Sequence, residues 1–453
     1  VLYVLPKTNS MVEANVKIIG ELKLFIDYVT TDEEIRKSFT IRDTDFIRDR
    51  KLSLARIAQM IINLPKRSLN IEVREFFENL VGGGKECTKG AFSLQRGKLR
   101  PEFFFIWNQV LVAAFYHYYG DQVKRWRGFR VFATDGSTMY LPDRDEIVKH
   151  FGKHSNQYSQ VPLSRVIQVE DVLNKITVYG NIYSIATSEQ EVVNRLADHY
   201  AEDSLLLLDR GFSNYVLMWL LLNQERERNF VIRCKTGGSQ YAASFLKSKK
   251  RSKIITIYPH SNAISMLKKL GYIITLQTGI KVRLVKVTLT TGETEVLMTN
   301  LYDKKIYSNE DLKYLYGLRW SIEGCYDRQK NQQQLEIFSG HRVITIYQDY
   351  YANVFTGNMQ SIIEKQCTKY ITSLSRKRKY RCKINRNISW SHLKHNIVRL
   401  FITERPIDIL ITLQKAFERY VEPERPGRTV PRRTKSRRLT GKYQTFTNYR
   451  RAI

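Results

Sequence analysis

Four consecutive leucines, Leu205-Leu206-Leu207-Leu208, lead directly into Asp209. An apolar run of this length without polar alternation is typical of a strand that is buried on both faces of a sheet. Before it, Ser188 and Glu191 have the spacing of a capping box and predict a helix, and after it residues 213–223 predict another. Residues 229–234 then predict a second buried strand. This alternation predicts an α/β domain with a mixed central sheet.

Two aspartates follow predicted strands of this domain. Residues 129–134 form an apolar β-type run that ends at Asp135, just as residues 205–208 end at Asp209. Residues 165–185 contain two further β-rich runs separated near Asn174, as in a hairpin. Binding sites of open α/β sheets form at the carboxyl ends of the strands. We therefore expect Asp135 and Asp209 to converge.

The chain after the sheet is predicted to be β-rich and then helical. Stretches with β-type composition occur at residues 254–258, 272–278, 282–289 and 295–301, with hairpin-type residues at 290–293. They predict a mostly β insertion. Ser308 and Asp311 then approximate a capping box and predict one long helix that continues past Lys330.

One face of this helix carries four polar residues: Tyr316, Arg319, Glu323 and Lys330. Their offsets of 0, 3, 7 and 14 residues place them within about a 60° arc at roughly 100° per residue. A solvated face is the alternative interpretation, but bulky apolar residues around the stripe, Trp320 among them, indicate a packed helix whose stripe faces a cleft. Asp327 shares the face of Glu323, so spacing alone leaves either acid available as a ligand.

An acid on this helix and the two strand-end aspartates would together form an all-oxygen site. Asp135, Asp209 and Glu323 supply carboxylates, which Mg²⁺ prefers together with water and substrate phosphate. Two such ions would activate the attacking oxygen and stabilise the leaving one in a displacement at phosphorus. The sequence therefore predicts metal-dependent chemistry on a phosphodiester.

The charge of the chain predicts a polyanionic partner. Among 453 residues, 74 are Lys or Arg and 44 are Asp or Glu, which gives a formal charge of +30 and a pI of about 9.8. Nucleic acid is the polyanion we expect. A membrane surface is the competing one, but the sequence has no 18-residue apolar run and no signal peptide, so it predicts a soluble, cytoplasmic protein. Five scattered cysteines argue against a disulfide framework.

Both ends of the chain are predicted to be helical and to contact DNA. Residues 69–80, the glycines at 82–84 and a helix capped by Thr88 form a helix-turn-helix pattern. Its second helix would expose four candidate DNA contacts: Lys89, Gln95, Arg96 and Lys98. Two ordinary surface helices explain this pattern equally well. Residues 371–386 hold seven Lys or Arg and residues 425–451 hold ten, with no acid in either block; we favour phosphate contact over solvated tails.

The motifs around the three acids resemble a known family. The segment from Tyr316 to Lys330 matches the Y-x2-R-x3-E-x6-K (YREK) signature of the bacterial insertion sequence 4 family of DDE transposases at all four positions. Asp-Gly-Ser at residues 135–137 and Asp-Arg-Gly-Phe at residues 209–212 resemble its first and second motifs, in the family order. Phe212 and Tyr326 each replace one aromatic residue by another. The β insertion falls between the second aspartate and the glutamate, as it does in that family.

The resemblance implies an α/β catalytic core with a ribonuclease H-like, retroviral-integrase-type mixed sheet. The core would occupy residues 123–234 and 306–348, with the β-rich insertion at residues 235–305 between them. An all-α DNA-binding domain at residues 1–122 would precede it. A helical, basic region at residues 349–453, used in dimerisation and DNA contact, would follow it.

The implied activity is cut-and-paste transposition of an insertion sequence. Asp135, Asp209 and Glu323 would hold two Mg²⁺ or Mn²⁺ ions for cleavage at the element end through a hairpin intermediate, followed by strand transfer. The implied DNA contacts near the site are Tyr316, Arg319, Lys330, Arg210 and Trp320. Trp320 could instead pack in the core, which is the favoured role. The implied partners are double-stranded DNA at inverted-repeat ends, target DNA and a second copy of the chain, in the bacterial nucleoid and without a membrane.

Two other functions fit the same residues. A non-catalytic DNA-binding protein, such as an inactive or host-adopted transposase, would keep the basic surfaces without the chemistry, but three acids at the expected positions argue against it. A metal-dependent nuclease of similar core, such as a junction resolvase, would cleave without strand transfer. The arginine and lysine of the signature and the size of the insertion favour transposition.

Overall fold

The computed structural model describes residues 10–48, 50–63, 66–78, 80, 86–155, 160–235, 237, 240–289 and 292–425. The chain divides into two compact units. Unit 1 comprises Val1–Gln122, Tyr140–Pro162 and Arg328–Ile453, and unit 2 comprises Val123–Met139 and Leu163–Asp327. The predicted glycine turn at residues 82–84 and the basic tail after residue 425 lie outside the described residues.

The helices, in chain order, are α1 (Ser10–Thr31), α2 (Glu33–Phe39), α3 (Leu54–Ile62), α4 (Leu69–Glu78), α5 (Lys89–Arg96), α6 (Glu102–Tyr119), α7 (Asp145–Phe151), α8 (Glu189–Leu196), α9 (Tyr215–Leu222), α10 (Gln240–Lys247), α11 (Ser261–Lys269), α12 (Asn309–Leu318), α13 (Trp320–Asp327), α14 (Val343–Glu364), α15 (Thr368–Arg376), α16 (Arg386–Ile402) and α17 (Pro406–Arg419). The strands are β1 (Arg130–Tyr140), β2 (Lys153–Ser155), β3 (Gln160–Asp171), β4 (Ile176–Ser184), β5 (Ser204–Leu208), β6 (Asn229–Arg233), β7 (Ser252–Ile257), β8 (Ile280–Thr288), β9 (Thr294–Thr299), β10 (Cys382–Ile384) and β11 (Val421–Pro423).

A mixed sheet forms the centre of unit 2. Its strands lie side by side in the order β3, β1, β5, β6, β9, β8 and β7, with β4 paired to β3. β5 is parallel to both β1 and β6, whereas β4 runs antiparallel to β3, and β9, β8 and β7 continue the sheet from β6 in antiparallel pairs. The predicted mixed central sheet is therefore confirmed.

The four leucines lie on β5, at the middle of this sheet, and all of them are buried. Leu206 and Leu208 belong to an apolar cluster that also contains side chains of α8 and α9. Because side chains alternate along a strand, Leu205 and Leu207 point to the opposite face. Asp209 continues this alternation and therefore follows Leu205 and Leu207 on the same face of the sheet. Helix α12 packs against β5, β6 and β8.

The predicted β insertion contains helices as well as strands. Helices α10 and α11 lie between β6 and β8 along the chain. β9 pairs with β6, so these strands extend the central sheet. Residues 272–278, predicted as a strand, form no strand: Tyr272 packs edge-on against Trp219, with 4.6 Å between ring centroids. Aromatic and β-branched residues suit buried surfaces in general, and here Tyr272 and Ile274 pack against the core without pairing as a strand, whereas Ile273 is exposed.

Helices make up most of unit 1, as predicted for both flanks of the sheet. α6 packs against α1 and α14, where the indole of Trp107 stacks on Phe355 at 4.2 Å between ring centroids. The indole N–H donates to the carbonyl of Leu22 at 3.1 Å. None of the helices in the described ranges is long and apolar enough to span a membrane. All five cysteines are free thiols in the structure.

Candidate active site

Asp135 and Asp209 follow paired positions on neighbouring parallel strands. Thr134 of β1 pairs with Leu208 of β5, so the next residue on each strand is an aspartate. β1 itself continues to Tyr140. Asp135 therefore lies at the end of the pairing between β1 and β5, and not at the end of its strand as the sequence predicts.

Burial is the main influence on the pKa of the Asp135 carboxyl. It raises the pKa of Asp135 to about 6, and the negative charges of Asp209 and Glu189 add to this increase. The N–H of Gly136, which donates to Asp135 Oδ1 at 2.9 Å, and the guanidinium of Arg319 oppose it. A buried carboxylate whose charge is only partly compensated gains stability from any further cation placed beside it.

Residues of α12, α13 and the junction between them reach the two aspartates. Tyr316 is buried and donates its hydroxyl to Asp209 Oδ1 at 3.3 Å. Arg319 places Nη1 3.5 Å from Asp135 Oδ2 and donates from Nη2 to Glu323 Oε1 at 2.8 Å. The guanidinium of Arg319 therefore joins Asp135 to Glu323.

The helix that was predicted to carry the four-residue stripe is interrupted. α12 ends at Leu318, α13 begins at Trp320, and Arg328–Gln332 form a π-helical turn. A π-helical turn holds more residues than an α-helical turn, so it changes the phase of the residues in it. Lys330 lies in this turn and in unit 1, whereas the other three members of the stripe lie in unit 2.

A fourth acid, Glu189 of α8, lies beside Asp135 and was not predicted. A Cβ placed on Gly136 would lie 2.6 and 2.8 Å from the two carboxylate oxygens of Glu189. Only a glycine lets the carboxylate approach the backbone this closely. Arg165 of β3 donates to the same carboxylate. The sequence indicates this segment only as a helix start, and Ser188, although it precedes the helix, makes no capping side-chain bond.

Arg233 continues the row of Asp135 and Asp209 on the third parallel strand. β5 and β6 are paired one residue before Asp209 and Arg233. Arg233 forms an ion pair with Glu295 of β9 at 2.7 Å, and both charges influence the pKa of Tyr316, which burial raises. Binding sites of open α/β sheets form at the carboxyl ends of the strands. Arg233 is the last residue of β6, so the argument that indicates the two aspartates also indicates Arg233.

Two further predicted DNA contacts of unit 2 lie on the surface. Trp320 is 50% exposed, and the Arg319 guanidinium lies 5.0 Å from the centroid of its ring. Core packing, the role that the sequence favours for Trp320, is therefore not its environment. Arg210 begins the turn that follows Asp209 and is exposed.

The four predicted DNA contacts on and beside α5 have different environments. Lys89 is exposed, and Gln95 and Lys98 are partly buried. Arg96 is only 2% exposed and lies 3.1 Å from Asp349 in an ion pair. Its guanidinium therefore stabilises the interior of unit 1 and has no surface to offer to DNA in this conformation.

The carboxylates offer the hard oxygen donors that Mg²⁺ prefers, but a guanidinium lies between two of them. Among the residues that the structure describes, no group of three or more His, Cys, Asp or Glu side chains is placed to hold a metal ion. Arg319 contacts both Asp135 and Glu323, so these two acids can share an ion only after Arg319 moves.

Comparisons with known proteins give one informative similarity. No protein-family model matches the chain. The transposase InsG for insertion sequence element IS4 from Escherichia coli strain K12 is 24% identical over 213 residues. This match covers 46% of each protein, so the chain spans about half the length of the curated relative it matches. A cryo-EM structure of a piggyBac transposase synaptic complex with hairpin DNA covers 94% of this chain and 87% of its own, with a TM-score of 0.43 and 12% identity.

Proposed function

We propose that the chain is a DDE transposase that cleaves the ends of an insertion sequence and joins them to target DNA. The observation that carries the proposal is the placement of Asp135 and Asp209 after paired positions on parallel strands, with Glu323 joined to Asp135 through Arg319. The similarity to InsG, which is named as the transposase of an insertion sequence element, supports the same activity. The mixed sheet with its parallel centre supports a ribonuclease H-like core.

Asp135, Asp209 and Glu323 would hold the metal ions, two Mg²⁺ or Mn²⁺ per site. When bound, such ions activate the attacking oxygen and stabilise the leaving one. The protein's own part is to hold the acids in place. Tyr316 fixes one oxygen of Asp209, and Tyr326 donates its hydroxyl to the backbone carbonyl of Asp135 at 2.7 Å.

Arg319 would change partners when DNA and metal ions arrive. Its Nε is buried without a hydrogen-bond partner among the described residues, so its present contacts leave part of its donor capacity unused. A guanidinium binds phosphate in a two-pronged geometry. Arg319, together with Arg233 in the same row as the aspartates, would therefore contact phosphates next to the cleaved bond, with Tyr316, Lys330, Arg210 and Trp320 as further contacts.

The remaining parts of the proposal follow the resemblance to insertion sequence 4 transposases. Cleavage would pass through a hairpin intermediate. The partners would be double-stranded DNA at inverted-repeat ends, target DNA and a second copy of the chain, in the bacterial cytoplasm. Lys89, Gln95 and Lys98 stay candidate DNA contacts in unit 1.

The test compares acidic variants on a DNA fragment that carries an element end. Asp135→Ala, Asp209→Ala and Glu323→Ala should each reduce nicking in Mg²⁺ or Mn²⁺ by at least about a hundredfold, because metal ions contribute several kcal/mol to such steps. DNA binding in EDTA should persist. Asp327→Ala is the matched control. Asp327 is an exposed acid on the same helix as Glu323, so this variant should cleave DNA at the parental rate.

The outcomes separate the three functions. Parental nicking by all three variants would show that the acids were misassigned. A parent that binds element ends but never nicks them is a non-catalytic DNA-binding protein. A parent that nicks, but fails to join pre-cleaved ends to a target plasmid, is a nuclease without strand transfer.

A further inference from the structure

An exposed group of cations lies at the carboxyl-terminal end of α15 and in the loop that follows. Residues 368–383 contain seven Lys or Arg and no acid. Six of them form what we call the α15 basic surface: Lys369, Arg376, Lys377, Arg378, Lys379 and Arg381. All six are exposed, and none of them forms an ion pair within the described part of the chain. The seventh, Lys383, is 3.2 Å from Glu422.

The α15 basic surface is held by a folded scaffold. Its loop is closed where the Cys382 N–H donates to Ser375 Oγ at 2.9 Å. β10 pairs with β11 immediately after it, and the Glu424 N–H donates to the carbonyl of Arg381 at 2.7 Å. The backbone that carries the cations is therefore ordered before a ligand binds, and only the side chains have to be ordered on binding.

Within the described part of the chain no acid forms an ion pair with these six cations, so no direct contact offsets their charges. Like charges next to each other repel, and an isolated chain gains nothing from gathering them. A ligand with regularly spaced negative charges removes this repulsion and releases its own counterions. α15 has no buried residue and exposes Thr372 and Ser373 beside the cations. Hydroxyl groups beside Lys and Arg are the groups that contact DNA phosphates.

We infer that the α15 basic surface binds the phosphate backbone of double-stranded DNA, through residues that the candidate active site does not include. The inference rests on the proposed function only in taking DNA as the protein's substrate. A membrane surface is the less suitable partner, because interfacial helices need large apolar side chains on the buried face. On α15 the exposed residues include one large apolar side chain, Tyr370.

The test is the salt dependence of DNA binding, measured in EDTA by fluorescence anisotropy. The variant replaces Arg376, Lys377, Arg378 and Lys379 by Gln. Each lost phosphate contact reduces the slope of log K against log[salt] by about 0.9, so two to four contacts reduce it by about 2–4. Two duplexes of equal length, one with an element end and one unrelated, identify the source of the phosphates. A reduced slope on either supports the inference.

The matched control removes the same charge elsewhere. Lys247, Lys249, Lys250 and Arg251 are also four exposed cations within five residues, so their replacement by Gln changes the net charge equally. An equal slope loss in both variants, or an unchanged slope in the α15 variant, would overturn the inference. Lost binding to vesicles of anionic lipid with an unchanged DNA slope would overturn it in favour of a membrane. Lys377→Gln with Lys379→Gln is the smaller variant, for use if the quadruple variant does not fold.

Failure of this inference and failure of the proposed function give different results. A parent that nicks DNA in Mg²⁺, but whose salt slope is unaffected by the α15 substitutions, contradicts the surface alone. A parent that shows the slope loss but never nicks contradicts the catalytic proposal alone.

Discussion

The Gly136→Ala variant tests the close contact between the backbone at Gly136 and the carboxylate of Glu189. The new Cβ would lie 2.6 and 2.8 Å from the carboxylate oxygens of Glu189, whereas unstrained contacts of carbon with its neighbours lie at about 3.5–4.0 Å. The backbone at this position does not need a positive φ, so the effect is steric. Either Glu189 leaves its place beside Arg165 or the strand at Asp135 shifts.

The size of the effect follows from which of these groups moves. Overpacking of one methyl group in a well-packed core costs about 1–3 kcal/mol, and this range is an upper limit here because the contacted carboxylate is the end of a flexible, partly exposed side chain. If the fold absorbs this cost, the free energy of unfolding falls by that amount. If the strand at Asp135 shifts instead, the carboxylate is displaced from its position in the site. An increase of the same size in the activation free energy of cleavage lowers the cleavage rate by up to about 150-fold.

A double-mutant cycle decides whether Glu189 is the group that the methyl meets. Gly136→Ala, Glu189→Ala and the double variant are compared with the parent by denaturant unfolding and by single-turnover nicking. Removal of the carboxylate makes room for the methyl, so the double variant should recover up to about 3 kcal/mol relative to the sum of the single changes. Additive effects in both assays, or a Gly136→Ala protein with the stability and rate of the parent, would show that this contact is absent.

Two further predictions concern stability. Asp135 binds its proton more tightly in the folded state, where burial raises its pKa from the ordinary 3.8 to about 6, so its contribution to folding stability is present below about pH 4 and is lost as the pH rises through 6. In EDTA, Asp135→Asn should therefore gain up to about 3 kcal/mol on the parent between pH 4 and pH 8 by denaturant unfolding; parallel pH curves would contradict this. Arg96→Ala should destabilise unit 1 by about 3–5 kcal/mol, because it leaves the buried Asp349 unpaired. Arg195→Ala, at an exposed helical pair, should cost less than about 0.5 kcal/mol, and equal losses in the two variants would refute the role of burial.

Local sequence signals predict the elements of this fold well. The run of four leucines gives β5, and its lack of alternation agrees with burial on both faces. Thr88 caps α5, and Ser308 with Asp311 forms the complete capping box of α12. Each of these signals depends on residues within a few positions of one another, so it can be recognised without knowledge of tertiary contacts. Such a signal can still fail, as Ser188 shows, since it precedes α8 but makes no capping side-chain bond.

The sequence predictions that differ from the structure concern residues whose positions depend on contacts with distant parts of the chain. A helical wheel assumes a regular helix, and the break at Arg319 and the π-helical turn around Lys330 change the phase that it assumes. Arg96 has the sequence context of a surface residue, but Asp349, 253 residues away, pairs with it in the interior. Glu189 carries no local sign that it lies beside Asp135, because their proximity depends on how the sheet and α8 pack together.

Arg319 is the residue on which the proposed chemistry depends most directly. Without DNA or metal ions, its guanidinium compensates Asp135 and Glu323, two acids that would otherwise add to the repulsion from Asp209. In the proposed function, Asp135, Asp209 and Glu323 would hold metal ions that supply this compensation, and the guanidinium of Arg319 would then be free to contact a phosphate next to the cleaved bond. Arg319→Ala should therefore lower two quantities for different reasons. The free protein should be less stable because it loses its internal cation, and the DNA complex should be nicked more slowly because it loses a phosphate contact. Arg319→Lys keeps the charge but not the two-pronged geometry, so it should restore the stability of the free protein more than the rate of nicking. Equal recovery of both would show that charge alone matters at this position.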